Sequence, residues 1–167
     1  MSVAAYVALG ANSGDRLAAL RRAAAALDDH PDLAVSRASS IWESPAAPPS
    51  SPEDPAYLNA VLAIQSRLSS SDLLELLMTV EVDLGRVRAP GGAGAPRVID
   101  LDLLTFGDEV CDRPELTLPH PRMLDREFVL RPLVELAPDE VRWTDALLRL
   151  DTAGSCVRRP SMSLGVP

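Results

Sequence analysis

Residues 96–104 read Pro-Arg-Val-Ile-Asp-Leu-Asp-Leu-Leu, with Asp100 and Asp102 two positions apart among aliphatic neighbours. On an extended strand, residues two apart share a face, so the two carboxylates project together while Ile99, Leu101 and Leu103 turn to a core. Carboxylates crowded into one small volume repel each other unless a cation lies between them. A few hard oxygens, with positions left for phosphate and water, suit Mg²⁺. An isolated Asp-x-Asp is more often the solvated side of a half-buried strand, so the neighbouring residues decide. Arg97 directly precedes the pair, and Arg86 and Arg88 lie a short segment upstream. The planar guanidinium fork is suited to gripping phosphate oxygens two at a time. Downstream, Leu118-Pro119-His120-Pro121 sets one of only two histidines in a rigid turn, and Arg122 and Arg126 follow. The other, His30, falls at the end of a helix, where it complements the dipole. Arginines and His120 around two metal-binding carboxylates make a candidate polyphosphate site.

Composition narrows the chemistry. All 16 basic residues are arginine, which excludes phosphate loops and protein-kinase sites that depend on a lysine. The net charge of -8 argues against a general nucleic-acid binder, though a small anion can still be held by local positive charge. A chain of 167 residues supports one domain, expected over 1–153, with a polar, aperiodic tail over 154–167. No apolar run reaches the roughly 20 residues needed to span a bilayer, and no basic segment leads into a hydrophobic one. The expectation is a cytoplasmic monomer with no membrane and no nucleic-acid partner. Cys111 and Cys156 are too few and too isolated for a disulfide framework or a zinc site.

The charged cluster needs elements to hold it. Ser2 to Leu9 reads as a buried strand, and Gly10 to Asp15 as the turn that opens a helix bearing Leu17, Leu20, Ala24 and Leu27. Leu33 to Trp42 reads as a second strand, followed from Glu43 to Ala56 by a loop with five prolines. Tyr57 to Leu68 reads as a third strand, antiparallel to the second. Ser69 to Ser71 caps a helix through Leu84 with Leu73, Leu77 and Val80 inward, and Gly85 stops it. Arg97 to Phe106 is the fourth strand, and a helix with Pro132 in its first turn, or kinking it, occupies part of Phe128 to Ala137. Strand, helix, strand, strand, helix, strand is the α+β, ferredoxin-like sandwich: an antiparallel sheet, helices on one face, and extra C-terminal elements. Taken alone, these features also fit a docking domain that needs no ATP, or a metal-dependent nucleotide hydrolase that needs no acceptor.

The ordered set Tyr6-Val7-Ala8-Leu9-Gly10-Ala11-Asn12, Tyr57-Leu58-Asn59-Ala60, Glu81 to Arg88, Pro96 to Leu104, Leu118 to Met123 and Phe128 to Leu133 resembles the 6-hydroxymethyl-7,8-dihydropterin pyrophosphokinases. The resemblance implies transfer of pyrophosphate from ATP to the hydroxymethyl group of 6-hydroxymethyl-7,8-dihydropterin, releasing AMP, on the route to folate. It also implies two Mg²⁺ ions on Asp100 and Asp102. Arg86, Arg88, Arg97, His120 and Arg126 match positions that embrace the triphosphate or the transferring group. Glu81, Leu103 and Thr117 match positions lining the nucleotide. Tyr57, Asn59 and Phe128 match residues enclosing the pterin, and Ser44 with Pro45 begins the loop that closes over it. A flat bicycle gains from aromatic stacking, and an Asn offers donor and acceptor together.

The chain departs from the family between Arg88 and Arg97. Many members carry an Arg and a Trp there, whereas this chain has Ala89-Pro90-Gly91-Gly92-Ala93-Gly94-Ala95-Pro96, a segment costly to order. Glu115 replaces a phosphate-facing arginine of some members, Met78 replaces a polar nucleotide contact, and Arg113 is assigned no role.

Overall fold

The computed structural model describes residues 1–46, 53–86, 97–150 and 155–167. Arg88 and the Gly/Ala-rich stretch 89–96 lie outside these.

Alternation builds the sheet. Strand β1 (Val3–Ala11) buries Ala5, Val7, Leu9 and Ala11 on one face, and β4 (Tyr57–Ser66) buries Leu58, Ala60, Leu62 and Ile64 beside them. The two pair antiparallel from Val3↔Ser66 to Ala11↔Leu58. Strand β5 (Asp100–Phe106) lies antiparallel on the other side of β1 and adds Leu101, Leu103 and Phe106 to the same face. Helix α1 (Arg16–Asp28), capped by Asp15, and helix α2 (Ser70–Asp83), capped by Ser69, cover that face with Leu20, Leu27, Leu73 and Leu77. A non-helical side chain accepting a free first-turn N–H is what stops each helix fraying. Gly85, at φ +95, lets the chain leave α2 in a conformation other residues disfavour. These elements realise the split arrangement expected from the sequence.

The stretch read as one strand from Leu33 to Trp42 is two, β2 (Leu33–Ala38) and β3 (Trp42–Ser44), paired with successive parts of β4. Ser39 interrupts it: its backbone N–H donates to the Val61 carbonyl, while its hydroxyl accepts the Val61 N–H at 2.9 Å. A side chain thus takes the place of one ladder acceptor.

The extra C-terminal elements cover the opposite face. Helix α3 (Glu127–Leu136) packs Val129, Leu130 and Leu133 against Val61 and Leu104. Pro132 sits in its second turn, beyond the first-turn position that proline tolerates best. Helix α4 (Val141–Arg149), which has no counterpart in the sequence reading, docks through Trp143, edge-on to Tyr6 with centroids 5.2 Å apart. A small hairpin, β6 (Cys111–Asp112) with β7 (Thr117–Leu118), leads to the His120 turn.

Residues 155–167 pack onto the domain. Strand β8 (Val157–Arg158) extends the sheet beside β3, and Cys156 and Leu164 are buried. Both cysteines are free thiols. Burial, followed by the nearby Glu127 charge, pushes the Cys156 thiol up to about 11, so it stays protonated and inert. No helix among the described residues is long and apolar enough to cross a membrane.

Candidate functional site

The register explains why the acidic pair lies where it does. Gly10 faces Asp100 across β1/β5 and Asn59 across β1/β4, and Ala8 faces Asp102. Asp100, Asp102, Gly10, Asn59 and Tyr57 therefore share the sheet face that α1 and α2 do not cover. Trp42 and Ser44 join them through the pairs Trp42↔Asn59 and Ser44↔Tyr57. Charged residues stand at one end of this surface and the aromatic and amide groups at the other, with Gly10 as floor between them. A Cβ at Gly10 would stand 3.5 Å from Asn59 Oδ1 and 3.9 Å from a Tyr57 ring carbon, so its lack of a side chain keeps that floor flat.

At the charged end, Arg86 Nη1 donates to Asp100 Oδ1 at 2.6 Å and Arg97 Nη1 to Asp100 Oδ2 at 2.5 Å, so both oxygens are held by guanidiniums. Arg126 Nη1 lies 3.8 Å from Asp102 Oδ2. Burial, then repulsion from Asp100, lifts the Asp102 carboxyl above the usual range against the pull of His120, Arg126 and Arg97. Burial also opposes charge on Arg97, but the contact with Asp100, helped by Tyr57 and Asp102, more than offsets it and raises its pKa.

His120 reaches this cluster through the backbone. Strand β5 is the sheet edge on that side, and its Leu104 carbonyl accepts the His120 N–H at 2.8 Å. Leu104 is the extra residue of a bulge, since Tyr6 pairs with Thr105 and Val7 with Leu103. Bulges of this kind re-aim a strand beside a site. Burial, with Arg126 and Arg122, holds the imidazole below its ordinary value against the pull of Asp102. Its Nδ1 accepts the Arg122 N–H at 3.2 Å, so the neutral ring carries its proton on Nε2, where it can donate to an oxyanion.

At the other end, Asn59 and Ser44 are 4 and 5% exposed. Asn59 Nδ2 donates to Ser44 Oγ at 3.0 Å and to the Trp42 carbonyl at 3.3 Å. Phe128 stands in the first turn of α3, with the Arg126 guanidinium 5.5 Å from its ring centre, so one cation faces both ends of the site.

Three further sequence-derived positions stand around this cluster. Leu103 lies on the opposite face of β5 from the aspartates, buried among α1 and α2, because its place in the strand alternation points it there. Glu81, 2% exposed, accepts the Leu101 N–H at 2.7 Å and the Arg86 guanidinium, so it orients the arginine and pins α2 to β5. Thr117 stands on β7 with its hydroxyl 3.5 Å from Asp112. Arg113 turns toward Glu109, which accepts from Ser70 at the start of α2, the far end of that helix from Glu81.

Gly10 and Asn12 received no role from sequence reasoning. Asn12, 2% exposed, accepts the Arg97 N–H at 2.7 Å, donates its own N–H to the Arg97 carbonyl, and reaches Pro55 with its amide. It ties the arginine-bearing loop to the segment entering Tyr57. A Gly and an Asn closing a buried strand, where both types are disfavoured, was the available signal.

Among the described residues no three His, Cys, Asp or Glu side chains gather as a self-sufficient metal cage. Two carboxylates on one face, one with its charge disfavoured by the other, instead fit Mg²⁺, which ordinarily completes its shell with phosphate oxygens and water.

Comparison with known proteins finds relatives over most of the chain. A family model described as 7,8-dihydro-6-hydroxymethylpterin-pyrophosphokinase (HPPK) matches residues 6–138. A 2-amino-4-hydroxy-6-hydroxymethyldihydropteridine pyrophosphokinase from Bacillus subtilis is 43% identical over 81% of this chain and 79% of its own length. One from Methylorubrum extorquens is 39% identical over 90% of this chain and 95% of its own. Among solved structures, the wild-type Plasmodium falciparum HPPK-DHPS superposes with a TM-score of 0.69 at 11% identity, covering 95% of this chain and 44% of that one. That likeness concerns the fold alone, and this chain spans under half of the solved protein.

Proposed function

The chain belongs to the 7,8-dihydro-6-hydroxymethylpterin-pyrophosphokinase family, and from that premise we propose how its residues carry the reaction: pyrophosphate moves from ATP to the hydroxymethyl oxygen of 6-hydroxymethyl-7,8-dihydropterin, and AMP leaves. The observation that carries this reading is Asp100 held between Arg86 and Arg97 on the same sheet face as Asn59 and Tyr57.

Arg86 and Arg97 exchange the Asp100 carboxylate for phosphate oxygens when the triphosphate arrives, which releases Asp100 as a ligand. Asp100 and Asp102 would hold Mg²⁺, two ions by family resemblance, and the metal would supply charge neutralisation for the triphosphate. His120 Nε2 and Arg126 donate to phosphate oxygens, and Glu81 keeps Arg86 aimed at them. Arg88 belongs with these arginines by its place in the sequence.

Tyr57 and Phe128 stack on the pterin, Asn59 reads its amide edge, and Ser44 holds Asn59 in the reading rotamer. The acceptor oxygen then meets the transferring group in line, and no side chain has to act as a strong base because the transition state is loose. The working form is a monomer in the cytoplasm.

AMP release measured with and without hydroxymethyl-dihydropterin tests the reading. AMP that appears only with the acceptor supports it, and equal AMP in its absence would assign a nucleotide hydrolase instead.

A further inference from the structure

Helix α3 carries Glu127, Arg131 and Glu135 at intervals of four, a spacing that sets them on one side of the helix. Its apolar side, with Val129, Leu130, Leu133 and Leu136, already anchors it to the sheet. The polar stripe therefore has to be explained separately, because Glu127 is 5% exposed and a buried carboxylate is costly unless fully partnered.

Each member of the stripe reaches β3 or the C-terminal segment. Glu127 accepts from Arg131 Nε at 2.7 Å and from the Ser155 hydroxyl. The Arg131 guanidinium lies 5.6 Å from the centre of the Trp42 ring. Glu135 accepts from Trp42 Nε1 at 3.2 Å and from Ser40 N and Oγ at 3.0 and 2.7 Å, with Arg158 at 3.6 Å. Strand β8 locks the far side of β3 through Trp42↔Arg158, and the Arg159 N–H donates to the Ile41 carbonyl at 2.8 Å.

The hydrophobic effect is non-directional, whereas hydrogen bonds to charged groups are strong and directional and add a further constraint on rotation and axial register. Glu127 stands between Arg126 and Phe128, and Trp42 hands its carbonyl to Asn59. We propose that Glu127, Arg131, Glu135, Trp42 and Ser155 are a positioning set for the pterin slot, with residues 155–159 strapping α3 and β3 in register so that Phe128 faces Asn59 and Tyr57. These C-terminal residues lie beyond the family-matched region, which ends at 138. The strap thus deepens the reading above and rests on it.

The test is the Kd for the pterin, measured with a non-hydrolysable ATP analogue present, together with both Michaelis constants, in Ser155→Ala, Ser155→Thr and Trp42→Phe. Ser155→Ala and Trp42→Phe are expected to weaken pterin binding about 2- to 10-fold, as loss of one hydrogen bond would, with the Michaelis constant for ATP unchanged. Ser155→Thr, which keeps the hydroxyl, restores binding. Unchanged pterin binding in both Ser155→Ala and Trp42→Phe, or equal weakening for ATP and pterin, overturns the strap. Pterin binding without transfer would sink only the reaction reading, and a wild-type chain that binds no pterin sinks both.

Discussion

The two ends of the site are held by different forces. Around Asp100 and Asp102 the contacts join full charges on partly exposed side chains, and the carboxylate of Asp100 is shared by two guanidiniums. Around Asn59 and Ser44 the contacts are neutral, buried and tied to the backbone of β3. A guanidinium gives up a carboxylate readily for a phosphate, because both present the same paired oxygens. A buried amide has no water to exchange with, so its partners are fixed before the ligand arrives. On the proposed reading, the charged end rearranges when a triphosphate binds, while the neutral end is set beforehand, which suits recognition of a rigid flat ring.

Substitutions that break the charged end should act on rate. Asp100→Ala and Asp102→Ala are each expected to lower turnover by about 10²–10³, the usual cost of one well-placed electrostatic group, with the circular dichroism spectrum unchanged. Steady-state AMP formation checks this, and near-normal turnover in both would dissolve the distinction between the ends. Asn59→Ala should act on binding and stability instead. It removes the donor to the Ser44 hydroxyl and the Trp42 carbonyl, costing about 1–3 kcal/mol, and should raise the Michaelis constant for pterin more than that for ATP. A thermal melt and both Michaelis constants separate these effects.

The smallest effect is expected outside both ends, at Glu43. Burial opposes its charge, but Arg159 and Arg16 outweigh that and hold its pKa below the ordinary 4.5. A carboxylate lowered in the folded state contributes stability that is full above its unfolded value and lost as pH falls through the folded one. The melting temperature of Glu43→Gln should accordingly lie below wild type near neutral pH, by about 2–4 °C for each kcal/mol lost, and converge on it as pH drops below about 4.5. A gap that persists in acid would assign Glu43 a packing role.

What could be read in advance follows the same division. The pairing of Asp100 with Asp102 was legible because a period of two leaves no other arrangement for Asp-Leu-Asp on a strand. The capped helices were legible from Ser69 and from the Leu73, Leu77 and Val80 spacing. Helix α4 was legible and went unread: Trp143, Ala146, Leu147 and Leu150 recur at helical spacing and pack against the second core, although Trp143 alone among the residues of α4 is fully buried. The packed C-terminal segment was hidden because its partners are distant in sequence: Arg159 meets Glu43, Arg21 meets the Ser163 carbonyl, and Ser155 meets Glu127. The break at Ser39 was invisible for the same reason, since only Val61 reveals it. At the site, residue types and resemblance selected His120 and Asn59. The bulge at Leu104 that brings His120 to the cluster, and the burial that turns Glu81 into a brace, depend on register.

The central claim is that Asp100, Asp102 and the surrounding arginines meet on one magnesium-bound triphosphate. Calorimetric titration of a non-hydrolysable ATP analogue, with Mg²⁺ and then with chelator, tests it most directly. Binding that needs the metal in the wild type, and that disappears in the Asp100→Ala, Asp102→Ala double variant, is the predicted result. Equal affinity with and without Mg²⁺, or full affinity in the double variant, would contradict it.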